Sequence, residues 1–279
     1  MIRIISILTG LFFAAALLWS LLWDTIQLGK DGLPHTVEKA FVKHDLKKLD
    51  LASDGVFGKF DEAQLQRGFA VYQNVCASCH SLKHVSYRSL AALGYNEAEV
   101  KAIAAKATIN AADPLTGEFK DRPGQPSDKF PPVVYAGAGH PPDLSLITKA
   151  RHGGAAYVYS LLTGYANQAG YKNHEGKELL KEFPDAKTPD GLHFNPYFAN
   201  LNIAMAPPLT AEGQVTYSDG TPATVDQMAK DVAAFLVWTA EPELEQRHQT
   251  GFVWMGFMLF ATVLGYMSYR NIWADKKGH

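Results

Sequence analysis

Cysteine is scarce in this chain of 279 amino acids, which has only two, Cys76 and Cys79. Because they are three positions apart, a disulfide framework that links distant segments is excluded. A marked excess of one charge is also lacking, since 26 basic and 28 acidic side chains leave a formal net charge of -2. This balance provides no general basic surface, so we expect no nucleic acid among the partners.

Charged residues are absent from two long stretches near the ends of the chain. The first stretch, from Ile4 to Trp23, follows Arg3 and has about the length of a helix that crosses a bilayer. Its last residues, LLWSLLW, are bulky, whereas a signal cleavage site follows small residues. We therefore expect an uncleaved anchor, with an export signal as the alternative.

The second stretch, from Phe252 to Tyr269, indicates a C-terminal transmembrane helix, and basic residues follow it at Arg270, Lys276 and Lys277. Lys and Arg are enriched on the cytoplasmic side of membrane proteins, so both stretches place the polar middle of the chain outside. The predicted segments are an N-terminal hydrophobic segment at 1–24, an outer domain at 25–249, a transmembrane helix at 250–270 and a cytoplasmic tail at 271–279.

The two cysteines belong to the sequence CASCH, in which His80 directly follows Cys79. A CxxC pair can be a redox dithiol, half of a zinc site or a haem attachment point, and the histidine favours haem. Zinc would need two more ligands, but the sequence has no second CxxC and no HxxxH. We expect Cys76 and Cys79 to hold one haem c covalently and His80 to ligate its iron. Such attachment takes place outside the cytoplasmic membrane, in agreement with the predicted topology.

The segment that leads to this motif has the periodicity of a helix. Between Asp61 and Val75, apolar residues recur at spacings of four, three and three, and they are Leu65, Phe69, Tyr72 and Val75. Gly68 on this helix permits another helix to cross closely. We predict that the helix ends at the motif and forms one member of a crossed pair.

The other member is predicted to begin at Thr224, with Gln227 in the position of a capping box. Many Pro and Gly turn signals lie between the two helices, so we expect only one or two short helices there. The polar segment from Gln168 to Lys187 is expected to be a surface insertion. The predicted fold is mainly α, a c-type cytochrome fold with long Pro- and Gly-rich loops around one haem.

The sixth ligand of the iron decides whether a haem carries electrons or offers an open reactive position. Six methionines are candidates: Met1, Met205, Met228, Met255, Met258 and Met267. The first is the terminus, Met228 lies on an apolar helix stripe, and three lie in the second hydrophobic stretch. Met205 remains, in the loop NIAMAPPL that Pro207 and Pro208 stiffen, with a core-filling role as the alternative.

Histidine could supply the second ligand instead, and His152 in ARHGG is the candidate that merits attention. Gly153 and Gly154 directly after it allow the backbone to approach a bulky group. Arg151 beside it could pair with a haem propionate, or it could be a solvated surface charge.

These features lie within longer stretches that resemble the cytochrome c1 family. The matching segments are RGFAVYQNVCASCHSL, PPDLS, ARHGGAAYVYSLLTGY, HFNPYFANLNIAMAPPL and DGTPATVDQMAKDVAAFLVWTAEPE. The resemblance implies iron ligation by His80 and Met205 and thioether links at Cys76 and Cys79. It also implies a propionate partner at Arg151 and a position close to the haem for Tyr157.

The same resemblance implies an electron-transfer subunit that is not catalytic by itself but belongs to an oxidoreductase, the ubiquinol:cytochrome c reductase. Its implied partners are cytochrome b, a Rieske iron-sulfur protein that donates electrons, and a soluble or anchored cytochrome c that accepts them. Its implied location is the cytoplasmic membrane of a bacterium, with the haem domain in the periplasm. Two other functions stay open: a membrane-anchored mono-haem cytochrome c that serves a terminal oxidase, and a haem enzyme or gas sensor with an open iron position.

Overall fold

The computed structural model describes residues 2–31, 36–113, 116–137, 139–274 and 276. Its α-helices are α1 (Ile2–Asp31), α2 (Val37–Phe41), α3 (Glu62–Val71), α4 (Glu97–Ala105), α5 (Ile147–Ala150), α6 (Gly154–Leu162), α7 (Leu179–Glu182), α8 (Val225–Ala240) and α9 (Leu244–Trp273). The strands are β1 (Thr108–Ala112), β2 (Phe119–Pro123), β3 (His193–Phe194) and β4 (Asn202–Ile203). They pair as two small antiparallel hairpins, β1 with β2 and β3 with β4. The prediction of a mainly α fold is confirmed.

The chain divides into two compact units, one of residues 1–42 with 169–187 and one of residues 43–168 with 188–279. In the first unit, Phe41 is buried and its ring contacts those of Tyr171 and Phe183, with centroids 6.4 and 6.0 Å away. Leu179 is also fully buried. The segment predicted as a surface insertion therefore contributes buried side chains, because it packs on the short helix α2.

The second unit is built on the crossing of α3 and α8. Asp61 caps α3 by accepting a hydrogen bond from the Gln64 amide at 3.2 Å, and Thr224 caps α8 in the same way from the Gln227 amide at 3.1 Å. Gly68 lies at the crossing, where a Cβ would overlap the Asp231 carbonyl oxygen. The predicted pair of crossed helices is confirmed.

A buried carboxylate joins the two crossed helices. Asp231 of α8 is fully buried, and its oxygens accept hydrogen bonds from Arg67 Nε at 3.0 Å, Gln64 Nε2 at 3.2 Å and Gln227 Nε2 at 2.9 Å. Arg67 also pairs with Asp219, with 2.7 Å between Nη1 and Oδ2. A buried charge is tolerated when it is paired and its lone pairs are satisfied, and this network supplies both conditions.

The connection between α3 and α8 contains more helical segments than the expected one or two. It includes α4 to α7 and the 3₁₀ segments Tyr87–Leu93 and Pro184–Ala186. Two of these α-helices, α5 and α7, are only four residues long. Pro and Gly turn signals mark the boundaries of such short helices but leave too few residues for a visible period.

Among the described residues, two helices are long and apolar enough to cross a membrane, Ile2–Lys30 and Leu244–Trp273, and the most apolar part of each is fully exposed. Both extend beyond the apolar stretches at 4–23 and 252–269. The first turn of α9 belongs to the second unit, because Leu244 is buried and Glu245 accepts a hydrogen bond from the Phe60 amide at 2.8 Å. Within the predicted tail, Lys277 lies outside the described residues.

Candidate functional site

The CASCH motif begins at the last residue of a π-helical turn that follows α3. After Val71 the helix continues as a π-helical turn, Tyr72–Cys76, and the amides of Cys79 and His80 both bond back to the Cys76 carbonyl, at 3.1 and 2.9 Å. Such wide turns interrupt helices at functional positions. Here the turn gathers both sulfur atoms and the imidazole within one compact segment.

The His80 ring is held by the loop that contains PPDLS. Its Nδ1 lies 2.7 Å from the carbonyl oxygen of Pro142, and a carbonyl only accepts hydrogen bonds, so Nδ1 carries the proton. The free lone pair is therefore on Nε2, the ring nitrogen that remains to bind a metal. The Tyr72 hydroxyl donates to the His80 carbonyl at 2.9 Å and fixes the backbone of the same residue.

Asp143 fastens the PPDLS loop to the segment directly after His80. Its Oδ2 accepts hydrogen bonds from the Lys83 amide at 2.8 Å and from Ser81 Oγ at 3.1 Å, and its Oδ1 accepts from the Ser145 amide at 3.0 Å. Burial alone would raise the pKa of this carboxyl, but the hydrogen bonds outweigh it and lower the pKa. Asp143 thus holds the neighbouring Pro142 carbonyl in place under the imidazole.

Cys76 lacks the lowered pKa that a redox dithiol requires. Burial raises the pKa of the Cys76 thiol to about 12, with the charge of Cys79 as the smaller cause. Redox-active CxxC pairs have a lowered pKa because the thiolate is the nucleophile. Cys76 is therefore protonated near neutral pH, and the redox-dithiol reading is disfavoured.

A zinc site also receives no support from the surroundings of the motif. Within the described ranges, no group of three or more His, Cys, Asp or Glu side chains is placed to hold a metal ion. Zinc sites in proteins use three or four such ligands. Of the three readings of the motif, haem attachment is the one that its surroundings fit.

Met205 lies in the loop after β4 and is partly buried. Its carbonyl accepts a hydrogen bond from the Tyr165 hydroxyl at 2.9 Å. The preceding Ala204 adjoins Gly139, where an added Cβ would lie 3.7 Å from the Ala204 Cβ. Since Gly139 is three residues before Pro142, the loop that bears Met205 adjoins the loop that holds His80.

Arg151 and Tyr157 are neighbours at the start of α6. Burial raises the pKa of Tyr157, and the charge and hydrogen bond of Arg151 partly oppose that rise. Tyr157 in turn contributes to raising the pKa of Tyr165, although burial of Tyr165 is the larger cause. Electrostatic influence therefore links Arg151 and Tyr157 with Tyr165, whose hydroxyl bonds to the Met205 carbonyl.

Arg151 itself is exposed, and its Nη1 donates weakly to the Ala150 carbonyl at 3.4 Å. Its guanidinium keeps further donors for a carboxylate, as a propionate partner requires. His152, the alternative ligand, is exposed beside it. Gly153 has a φ of 83° and lies against Leu46, which an added Cβ would overlap, so this glycine is required by the local backbone.

The donor set fits a haem: two adjacent thiols for covalent attachment, an imidazole with a free Nε2, and a thioether in a neighbouring loop. Sequence reasoning did not identify the residues that hold this set in place, which are Tyr72, Pro142, Asp143 and Tyr165. The signal that pointed to two of them was PPDLS, which belonged to the family resemblance without a role.

Comparison with known proteins places these residues inside one long match. The Cytochrome C1 family matches residues 51–276. Cytochrome c1 of Rhodospirillum rubrum is 41% identical over 247 residues, which cover 83% of this chain and 89% of that protein. A mitochondrial protein of Solanum tuberosum, described as cytochrome c1-2, heme protein, is 45% identical over 78% of this chain and 81% of its own length. A Bradyrhizobium diazoefficiens protein described as cytochrome b/c1 is 42% identical over 79% of this chain, which corresponds to 34% of that protein.

Proposed function

This chain belongs to the cytochrome c1 family, and from that membership we propose that it carries one covalently bound haem as an electron-transfer subunit of a ubiquinol:cytochrome c reductase. The observation that carries the proposal is the imidazole of His80, whose Nδ1 is 2.7 Å from the Pro142 carbonyl, directly behind two closely spaced thiols. That arrangement leaves Nε2 as the ring nitrogen that can bind iron.

Four residues of this chain are proposed to bind the haem directly. The thiols of Cys76 and Cys79 would form the thioether links, and Nε2 of His80 would ligate the iron. The thioether of Met205 would be the second ligand, with its loop held by the hydrogen bond from Tyr165 to the Met205 carbonyl. A haem held in this way supplies an iron that alternates between the ferrous and ferric states.

Two further residues contact the edge of the cofactor in this proposal. The Arg151 guanidinium pairs with a propionate, because it is exposed, always charged and forked to match a carboxylate. Tyr157 lies close to the haem and beside Arg151, whose charge partly opposes the rise in the pKa of Tyr157 that burial causes. With methionine as the sixth ligand, no iron position stays open for a substrate or gas, and the subunit alone is not catalytic.

The partners follow from family membership. The relative described as cytochrome b/c1 supports cytochrome b as a neighbour, because both names are joined in one protein. In this complex the subunit accepts an electron from a Rieske iron-sulfur protein and delivers it to a soluble or anchored c-type cytochrome. The overall oxidoreductase reaction, from quinol to cytochrome c, belongs to the assembly.

The membrane placement uses the two long apolar helices. Helix α9 anchors the protein, and the outer domain lies on the periplasmic side of a bacterial cytoplasmic membrane. The basic residues after Tyr269 support this orientation, because Lys and Arg are enriched on cytoplasmic flanks. A bacterial relative that matches over 83% of this chain supports the bacterial setting.

The experiment that tests the proposal is affinity purification of the full chain in mild detergent, with identification of the co-purified subunits and a reduced-minus-oxidised spectrum. We expect cytochrome b and a Rieske protein in the same particle, with a haem c band from this subunit. Co-purification of a terminal oxidase without those two subunits would support the anchored mono-haem cytochrome instead. A ferrous spectrum that changes with carbon monoxide would indicate an open iron position and contradict methionine ligation.

A further inference from the structure

An exposed apolar loop lies beside the first apolar residues of α9. Val56 and Phe57 occupy the tip of the segment SDGVFGKF, with 62% and 83% of their surface exposed. The Phe57 ring stacks on that of Phe252, with centroids 5.1 Å apart and ring planes 10° from parallel. Phe252 is the first residue of the apolar stretch of α9, so the loop tip lies level with the point where that helix becomes apolar.

The loop is rigid enough to present this tip. The Asp54 carboxylate accepts a hydrogen bond from the Leu51 amide at 2.8 Å, and the Lys59 amide donates to the Ala52 carbonyl at 2.9 Å. Gly58 must be a glycine, because a Cβ there would overlap the Ser53 carbonyl oxygen. The exposed tip is thus held in shape by polar contacts at its base.

The C-terminal end of the same loop is hydrogen-bonded to α9. The Phe60 amide donates to Glu245 Oε1 at 2.8 Å, which fixes the loop against the first turn of the helix. Any membrane position of α9 therefore sets the position of Val56 and Phe57 as well.

The length of the apolar stretch of α9 places Phe252, and with it the loop tip, at the boundary of the membrane. Eighteen residues from Phe252 to Tyr269 rise about 27 Å in a helix, close to the thickness of the hydrocarbon core. Phe252 then lies at the outer edge of that core, where aromatic side chains are enriched. Charged residues flank the tip on both sides, at Asp54 and Lys59, so only the tip itself can enter the lipid.

We infer that the loop tip, Val56 and Phe57, inserts shallowly into the outer leaflet of the bilayer and fixes the tilt of the outer domain above the membrane. This inference rests on the proposed membrane placement of α9. The occupant of the apolar surface is lipid, because the surface continues that of the spanning helix at the same level. The loop adds a point of membrane contact beside α9, and this contact restricts tilting of the outer domain about that helix.

The test places a fluorescent probe on the loop of the full haem-loaded chain in lipid nanodiscs. Phe57→Cys is labelled with an environment-sensitive dye, and Phe119→Cys is the matched control, a phenylalanine with 72% exposure on the β1–β2 hairpin. Nitroxide on the upper acyl chain quenches from the lipid, and iodide quenches from water. Each sample is compared with its own unquenched signal, so absorption by haem cancels.

We expect the probe at position 57 to be blue-shifted, quenched by the lipid nitroxide and protected from iodide, with the opposite pattern at position 119. Equal iodide quenching at both positions would overturn the inference. Protection of position 57 from both quenchers would assign the tip to a protein contact and would also overturn the lipid assignment. A probe at Val56→Cys repeats the measurement in case the first variant folds poorly.

A failure of the proposed haem attachment can be distinguished from a failure of the proposed loop contact. Wild-type protein takes up no dye if Cys76 and Cys79 are joined to haem, so labelling of wild type would contradict the proposed function and not the loop contact. The same quenching measurement in a background with Cys76→Ser and Cys79→Ser then still tests the loop.

Discussion

Gly68 of α3 lies directly against the backbone of Asp231 in α8. A Cβ at position 68 would overlap the Asp231 carbonyl oxygen and lie 2.6 Å from the Cβ of Phe235. The obstacle is mainly backbone, which cannot rotate away as a long side chain can. The distance between the two helices is therefore set by the absence of a side chain at this position.

Gly68→Ala is expected to force the helices apart and to lower the free energy of unfolding by about 3 kcal/mol, the upper end of typical overpacking costs. Chemical denaturation of the haem-loaded protein measures this change. Gly251→Ala is the control, since a Cβ at Gly251 meets nothing within 4 Å. Equal stability of both variants would show that the crossing is looser than described.

Asp143→Ala should loosen the loop that positions the His80 ring, because three hydrogen bonds to the carboxylate are lost. We expect a loss of about 1–3 kcal/mol in unfolding free energy, with haem still covalently attached. Lys83→Ala is the control, because residue 83 donates to Asp143 through its backbone amide and keeps that bond. A thermal midpoint for Asp143→Ala equal to that of the control would contradict the role of Asp143.

Replacement of both cysteines, Cys76→Ala with Cys79→Ala, should abolish haem staining of the polypeptide on a denaturing gel. Coordination by His80 and Met205 alone does not survive denaturation, whereas thioether bonds do. The parallel lane is Met205→Leu, which keeps both cysteines and is expected to keep its stain. Persistent staining of the double variant would rule out attachment at these sulfurs.

Met205→Leu should lower the reduction potential and open the iron to carbon monoxide, because methionine favours the ferrous state and closes the coordination sphere. The weak ferric charge-transfer band at the red end of the spectrum should also be lost. Met228→Leu is the matched control, since Met228 is fully buried in the core of α8 and its replacement should leave the spectrum unchanged. If Met205→Leu keeps its potential and binds no carbon monoxide, another residue ligates the iron, and His152 is tested next.

Asp128→Asn is expected to destabilise the protein only above the acid range. The guanidinium of Arg122 contacts both oxygens of Asp128, at 2.7 and 2.8 Å, and this pairing lowers the pKa of the carboxyl below its usual 3.8. A folded-state pKa below the unfolded one adds stability that is present above about pH 4 and is lost as the pH falls through the folded value. The pair is partly solvated, so we expect only a small loss in the free energy of unfolding at the higher pH.

Unfolding free energies at about pH 6 and about pH 3 measure this dependence. Wild type and Asp128→Asn should differ at the higher pH and converge at the lower. Asp50→Asn is the control, because the Asp50 side chain is 78% exposed and its ion pair with Lys48 is a surface pair. If the difference in unfolding free energy between wild type and Asp128→Asn is the same at both pH values, the charge of the Asp128 carboxylate is not its cause.

Long periodic segments were predictable from the sequence. The α3 helix was indicated by apolar spacing and the α8 helix by the Thr224 cap, and both are present with their predicted contact at Gly68. Short helices were not predictable, because four residues such as Ile147–Ala150 span only about one period of the apolar pattern, which cannot show a repeat. Their formation depends on tertiary contacts, which the local sequence does not encode.

The candidate ligands were also predictable, but the residues that position them by hydrogen bonds were not. CASCH identifies Cys76, Cys79 and His80 by spacing alone, whereas the acceptor for His80 is a backbone carbonyl 62 residues away. A backbone atom has no signature in the sequence, so the hydrogen bond between His80 and the Pro142 carbonyl could be identified only from the structure. That α1 is an uncleaved anchor stays a prediction, because an anchor and an export signal of this length form the same helix.

The long separation between α3 and α8 bears on how the chain matures. Arg67 and Asp231 are 164 residues apart, so α3 and the motif behind it are synthesised long before their packing partner. Closing so long a loop is slow and entropically unfavourable. With export and haem attachment as proposed above, the sulfurs of CASCH would be on an open chain during this interval, accessible to the machinery that joins the cofactor. We therefore expect covalent attachment to precede core formation, and the arrival of α8 to end the period in which it can occur.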